Sequence, residues 1–234
     1  MTDGRAIDNS AYRQQEKQLD PYRRIQYSVW SKPLSSKVIL SGALIAAFSL
    51  SGCAAIPGFG PAPVDAFDIS APLRVPVSRK LPRTQILVPE PSALKLLDGE
   101  DIAVRPGGSS VQLLSGARWS DRLPRLVQAR VIEAFQRSDS IGGVGRPGEG
   151  LAIDYQVVIE IRSFEVRAVS GGHTAHVELF VRLLNDRNGV VRTSRSFQAL
   201  VPVNGQGSLA FTTALDAAFQ KTAADIVAWT VSVI

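Results

Sequence analysis

Few residues in this chain could do chemistry, and they are unevenly placed. Cys53 is the only thiol among 234 residues, and the only two His, His173 and His176, share one short stretch. A lone Cys leaves no partner for a disulfide framework and excludes a Cys-rich zinc module. Three positions separate the two His, a spacing that suits a helix face, but Gly171-Gly172 precede them and an alternating apolar pattern follows. On a strand that spacing sends the rings to opposite faces, so solvated loop histidines are expected and no metal site. Gly142-Gly143-Val144-Gly145-Arg146-Pro147-Gly148 carries the glycines of a phosphate loop. A dinucleotide fingerprint needs a helix directly after the turn, whereas a strand pattern follows here, so a flexible inter-element loop is expected. Asp98, Glu100 and Asp101 read as a solvated turn before a strand. No Gly-x-Ser-x-Gly elbow and no paired carboxylates at an obvious mouth occur, so no enzymatic activity and no cofactor are expected.

That leaves Cys53, and its position is informative. Val38 to Leu50 reads VILSGALIAAFSL, 13 residues without charge, with Lys32 and Lys37 just before it. Leu50-Ser51-Gly52-Cys53 closes the run. A basic segment, an apolar run and small residues at a cleavage point are the layout of a secretory signal. As a helix the run would span about 20 Å at roughly 1.5 Å per residue, short of a bilayer core of about 30 Å. Leu50-Ser51-Gly52-Cys53 resembles the lipobox of bacterial lipoproteins. The resemblance implies a diacylglyceryl group on the Cys53 thiol, cleavage before Cys53, and acylation of the new amino terminus. Ser51 and Gly52 suit a peptidase that needs an extended, uncrowded segment. Three acyl chains, at about 0.8 kcal/mol per buried methylene, would hold the protein on a membrane. The segment before the apolar run is long for a signal. Either translation starts further downstream, with Val29 a candidate, or Arg23-Arg24 forms a twin-arginine signal, which the flanking residues fit poorly.

Removing the signal changes what the charge means. The whole chain has 26 Lys+Arg against 21 Asp+Glu, net +5. Seven of those bases and four of those acids lie in residues 1–52, so the chain from Cys53 onward carries only +2. No basic run or basic helix face remains, and nucleic-acid binding loses its support. The apolar fraction of 45% is that of a folded domain, and 182 residues suffice for one core.

Hydrophobic periodicity supplies the elements that follow. Residues 54–65, rich in Pro, Gly and Ala, read as a flexible tether, so the chain divides into a signal region (1–52), a lipidated tether (53–65) and one domain (66–234). Short strands are expected at Ala66–Ala71, Thr84–Val88, Asp101–Arg105 and Ser110–Leu114. Ser120 is a candidate helix cap, with Pro124 tolerated in the first turn. Leu123, Leu126, Val127, Val131, Ala134 and Phe135 then form one apolar stripe, with Arg122, Arg125 and Gln128 facing out. Leu151–Val166 is a long alternating strand whose phase changes near Ser163, which indicates a bulge. A second strand has Ala175, Val177, Leu179, Val181 and Leu183 inward, and Asn188-Gly189 signals a hairpin into a third strand, Val190–Val201. Ser208–Thr230 repeats every 3.6 residues as a second helix. The expected class is α+β: a largely antiparallel sheet with two amphipathic helices packed on it.

Arg118-Trp119 sits at the strand-to-helix junction. A Trp there can anchor a partner interface, with a core plug at the helix entry as the preferred reading. This junction is also the most specific part of a wider resemblance. The lipobox, the Pro-rich tether, the strand Ile86-Leu87-Val88-Pro89-Glu90-Pro91 and the segment from Asp101 through Arg118-Trp119 to Phe135 resemble the ABC-type transport auxiliary lipoproteins. The long strand ending Ile159-Glu160-Ile161-Arg162-Ser163-Phe164-Glu165-Val166 extends the match over most of residues 66–230. Ala93-Leu94-Lys95-Leu96-Leu97 departs from the usual Tyr-Leu type pattern. The resemblance implies a non-enzymatic auxiliary or docking subunit for an ABC permease and ATPase and a periplasmic mammalian-cell-entry (MCE) domain protein that move lipid between membranes. Ala54, where an Asp would favour inner-membrane retention, implies the outer membrane. A periplasmic lipid-binding carrier and a structural lipoprotein regulating cell-wall synthesis are the alternatives, and self-association into a homo-oligomer is left open.

Overall fold

The sheet is organised around one strand. In the computed structural model, which describes residues 63–234, β7 (Tyr155–Val169) is the longest strand, 15 residues. One of its edges pairs along its whole length with β8 (Gly172–Asn185), antiparallel, from Tyr155 opposite Asn185 to Val169 opposite Gly172. Its other edge is shared in series by three short parallel partners. β2 (Leu81–Leu87) pairs at Tyr155–Gln156, β3 (Ser92–Ala93) at Glu160–Ile161, and β4 (Asp101–Gly107) at Glu165–Arg167. β9 (Val191–Pro202) continues the meander beyond β8. β4 turns back into β5 (Ser110–Trp119), β5 takes β1 (Asp65–Phe67) as a parallel edge, and β6 (Ile141–Gly145) runs parallel beside β2. The sheet is therefore mixed. The two long ladders are antiparallel, and the parallel pairs are short.

Two helices cover one face. α1 (Leu123–Ser138) buries the expected stripe of Leu123, Leu126, Val127, Val131, Ala134 and Phe135. α2 (Gly207–Val233) buries Leu215, Ala218, Phe219, Thr222 and Ile226. The bulge on β7 lies between Ile161 and Ser163. It lets Val157, Ile159 and Ile161 before it, and Phe164 and Val166 after it, all face the helices. Phe164 stands edge-on to Trp119 at 5.6 Å between centroids, and Phe219 of α2 lies 6.2 Å from Phe164 on its other side. Each such fully buried ring contributes about 1.5–3 kcal/mol of hydrophobic stabilisation.

Three expectations need correction. Ser120 does not cap α1: its backbone N–H donates to the Phe67 carbonyl at 2.7 Å, tying β1 in place, and the helix opens at Leu123. Gln128 does not face solvent. Its Nε2 donates to the Val88 carbonyl at 2.9 Å, which serves a backbone group that no sheet partner reaches. Gly142 to Gly145 is strand, not loop. β6 lies so close to β2 that a Cβ on Gly142 would stand 2.7 Å from the Pro82 carbonyl carbon. Glycine is a poor strand former, so propensity conceals this element, and the close approach requires it. The turn after β8 is as expected, with Gly189 at φ 68. The expected signal peptide, and the expected tether up to residue 62, lie outside the described residues.

Gly142→Ala should destabilise the domain by about 1–3 kcal/mol or more through overpacking against β2, read by denaturant melts. An unchanged melt would refute the close approach.

Candidate functional site

Leu50, Ser51, Gly52 and Cys53, the residues with the most legible chemistry, lie outside the described residues. The structure does place the other expected pair. β1, β4 and β5 position the Arg118-Trp119 junction: Arg118 pairs with Ala66 on one side and with Asp101 on the other. The Trp119 N–H donates to the Glu100 carbonyl at 2.7 Å. Its indole is 1% exposed and presents no surface to a partner, because Phe164 and the entry of α1 enclose it. Of the pair only Arg118 is exposed, and its Nη1 donates to Glu100 at 3.2 Å.

The acidic turn is more organised than a solvated one. Arg122 donates to Glu90 at 2.9 Å and to Asp98, and Arg125 stands 3.8 Å from Glu90. Asp98, Glu100 and Glu90 thus form an ion-pair frame with Arg118, Arg122 and Arg125 around the entry of α1. These pairs are partly exposed, so each contributes about 0–1 kcal/mol. The frame pairs each of its three carboxylates with a guanidinium, and Asp101 of the same turn stays exposed outside it.

A second cluster lies on the helix-free face of the sheet, and sequence reasoning missed it. Ala103, Glu165, His176 and Leu200 are successive register partners across β4, β7, β8 and β9. The Glu165 side chain is 4% exposed. It accepts hydrogen bonds from Arg105 Nε and Nη2, both at 3.1 Å, and from Arg167 Nε at 2.7 Å. Burial pushes the carboxyl up, and the hydrogen bonds and charges of the two guanidiniums outweigh it, holding Glu165 below the usual carboxylate range. Both carboxylate oxygens accept guanidinium donors, from Arg105 on β4 and Arg167 on β7, so Glu165 clamps the two strands together. His176 beside it is 5% exposed, not a solvated loop residue, because β8 already begins at Gly172. Burial first, and then Arg167, lower its pKa and favour the neutral ring. Its Nδ1 is buried without a hydrogen-bond partner. His173 is exposed and its ring lies 5.0 Å from that of Phe211 of α2, tilted by 46°, so the two His rings do point to opposite faces. The only signal for this cluster was the phase change at Ser163, which sets Glu165 opposite Phe164.

Among the described residues no group of three or more His, Cys, Asp or Glu could hold a metal ion. No described helix is long and apolar enough to cross a membrane. The profile of the ABC-type transport auxiliary lipoprotein component family matches residues 67–227, which is the mixed sheet and most of both helices. The chain belongs to this family. Members of that family are auxiliary lipoprotein components of ABC-type transport. It is also 30% identical over 174 residues to an uncharacterized protein of Bradyrhizobium diazoefficiens, covering 74% of this chain and 47% of the other. The chain thus spans about half the length of that curated relative. A crystal structure of a Xanthomonas campestris protein is similar over 72% of this chain and 96% of its own, with 27% identity and a TM-score of 0.64. A second solved structure, of an uncharacterized protein, shares the fold at 13% identity and a TM-score of 0.56, over 70% and 97% of the two chains. The family domain therefore corresponds to the sheet and helices.

Trp119→Ala should cost about 3–5 kcal/mol by cavity formation, whereas Arg118→Ala should stay within about 0.5 kcal/mol, both read by chemical denaturation. Similar losses for the two would contradict the burial assigned here. Glu165→Gln should destabilise the domain by about 1–3 kcal/mol at pH 7. Because the folded carboxyl is depressed, its contribution is complete above the unfolded value of about 4.3 and is lost as pH falls through the folded value. The gap between wild type and variant should therefore hold down to about pH 4.3 and narrow only below it, as the folded carboxyl takes up its proton. A gap that widens, or stays unchanged, as pH falls below that value would show that Glu165 is not held ionised.

Proposed function

We propose that this chain is a non-enzymatic, periplasm-facing lipoprotein, anchored through lipid on Cys53 to the outer membrane. It serves as the docking subunit of an ABC/MCE-type intermembrane lipid transport system. The observation that carries the reading is the family match over residues 67–227 placed downstream of the only Cys, which directly follows a 13-residue apolar run. An auxiliary subunit needs a rigid body and an anchor. The described residues form one continuous hydrophobic core. A carrier would need an apolar cavity between sheet and helices. Trp119, Phe135, Phe164 and Phe219 fill that space and are each at most 1% exposed, which favours docking over carriage.

In cells, Cys53→Ala should abolish palmitate labelling and move the protein from the membrane to the soluble fraction. Crosslinking of the wild type should recover an MCE-domain protein, and deletion should disturb outer-membrane lipid asymmetry. Persistent labelling of Cys53→Ala would remove the anchor. An intact lipid asymmetry together with no MCE crosslink would remove the transport role. Phospholipid retained by the purified domain would favour the carrier instead.

A further inference from the structure

One end of the domain differs from the rest in composition. Three connections meet there: the β4–β5 hairpin at Gly107–Ser110, the β7–β8 hairpin at Val169–Gly172, and the loop from β9 into α2. Arg105 lies opposite Arg167, Thr174 opposite Pro202, and the Val203 N–H donates to the His173 carbonyl at 2.9 Å. Residues 105–112, 167–174 and 200–212, which build this end, contain two Arg and one His but no Asp or Glu; both Arg pair with Glu165 just inside it, which leaves the group a net charge of +1. They expose Val169 (51%), Leu200 (59%) and Leu209 (71%). The opposite end carries charges of both signs: Asp154 with Arg187 at 3.0 Å, Lys80 with Asp139, and Arg146 with Glu149 at 3.8 Å.

The direction of the chain distinguishes the same end. β1 runs parallel to β5, with Asp65 opposite Ala117 and Phe67 opposite Trp119. Read backwards from Asp65, the chain therefore heads toward the start of β5, which is the β4–β5 hairpin. Residues 54–62 can reach at most about 35 Å, whereas the hairpin lies about 23 Å from Ala117 at roughly 3.3 Å per residue. The intervening residues are thus long enough for a lipid on Cys53 to reach the acid-free end. An anionic bilayer surface repels carboxylates and attracts Arg, and its interface accommodates Val and Leu.

We infer that this end of the domain, with Val169, Leu200 and Leu209 exposed and Arg105 and Arg167 beside them, rests on the phospholipid surface that holds the Cys53 lipid. The charged end around Arg187 faces away. The inference rests on the proposed anchor and adds an orientation to it.

The test uses the full lipidated chain in phosphatidylethanolamine–phosphatidylglycerol vesicles containing a doxyl-labelled quencher lipid. Single environment-sensitive fluorophores are placed at Val169→Cys, Leu209→Cys, Arg187→Cys or Val190→Cys; these added thiols react while a lipidated Cys53 does not. Groups seated in the interface lie within about 10 Å of the acyl boundary, so quenching at 169 and 209 should exceed that at 187 and 190 by about twofold or more. The double variant Val169→Asp/Leu209→Asp, labelled at Leu200→Cys, should lose the excess. Uniform quenching on vesicle-bound protein, or stronger quenching at 187, overturns the orientation alone. Failure of the unlabelled chain to float with vesicles overturns the anchor and the orientation together.

Discussion

The fold depends on the β7 backbone. Its 15 residues are the only place where β2, β3, β4 and β8 are joined, one edge given wholly to β8 and the other divided among three short parallel strands. β3, at two residues, has too few hydrogen bonds to hold a position unless a long neighbour presents a ready ladder. The bulge between Ile161 and Ser163 is the second half of the same constraint. Side chains alternate with a period of two, so an uninterrupted β7 would turn Phe164 and Val166 away from the helices and expose the carboxylate face to the core. One extra residue restores the apolar phase, and it places Glu165 on the helix-free face, where Arg105 and Arg167 meet it.

Apolar burial and polar pairing then divide the work of stability. Trp119, Phe164 and Phe219 form a continuous aromatic chain from the β5 end through β7 to α2. Around it the polar contacts are of unequal weight. The exposed ion pairs of Arg118, Arg122 and Arg125 contribute little, because water screens them. Glu165 differs, because removing its guanidinium partners would leave a buried carboxylate unpaired. A body of this kind has strong internal restraint, which suits the docking role proposed for it. Its ends, rather than its interior, are where partners and membrane can meet it.

Periodicity made the long elements legible. The α1 stripe from Leu123 to Phe135 and the inward row from Ala175 to Leu183 are buried as their spacing indicates, and the phase change at Ser163 is a real bulge. What periodicity could not reach were features set by a distant neighbour. Gly142 and Gly143 form a strand because β2 lies against them. Gln128 turns inward because the Val88 carbonyl, 40 residues away, lacks another donor. His176 is buried because β7 and β9 flank it. In each case local propensity opposes or ignores the outcome.

The sequence by itself determined the α+β class, the two helices, the meander and the expectation of lipid on Cys53, since all of these rest on residue type and short-range spacing. Tertiary structure alone decided that the short strands run parallel along one edge of β7, that Trp119 is core while Arg118 is surface, and that Glu165 is a buried clamp. It also gathered three separate acid-free segments at one end of the domain. The physical reason is that hydrogen-bond partners for short strands and buried polar groups come from residues tens of positions away, and nothing in a local pattern records which of them will arrive.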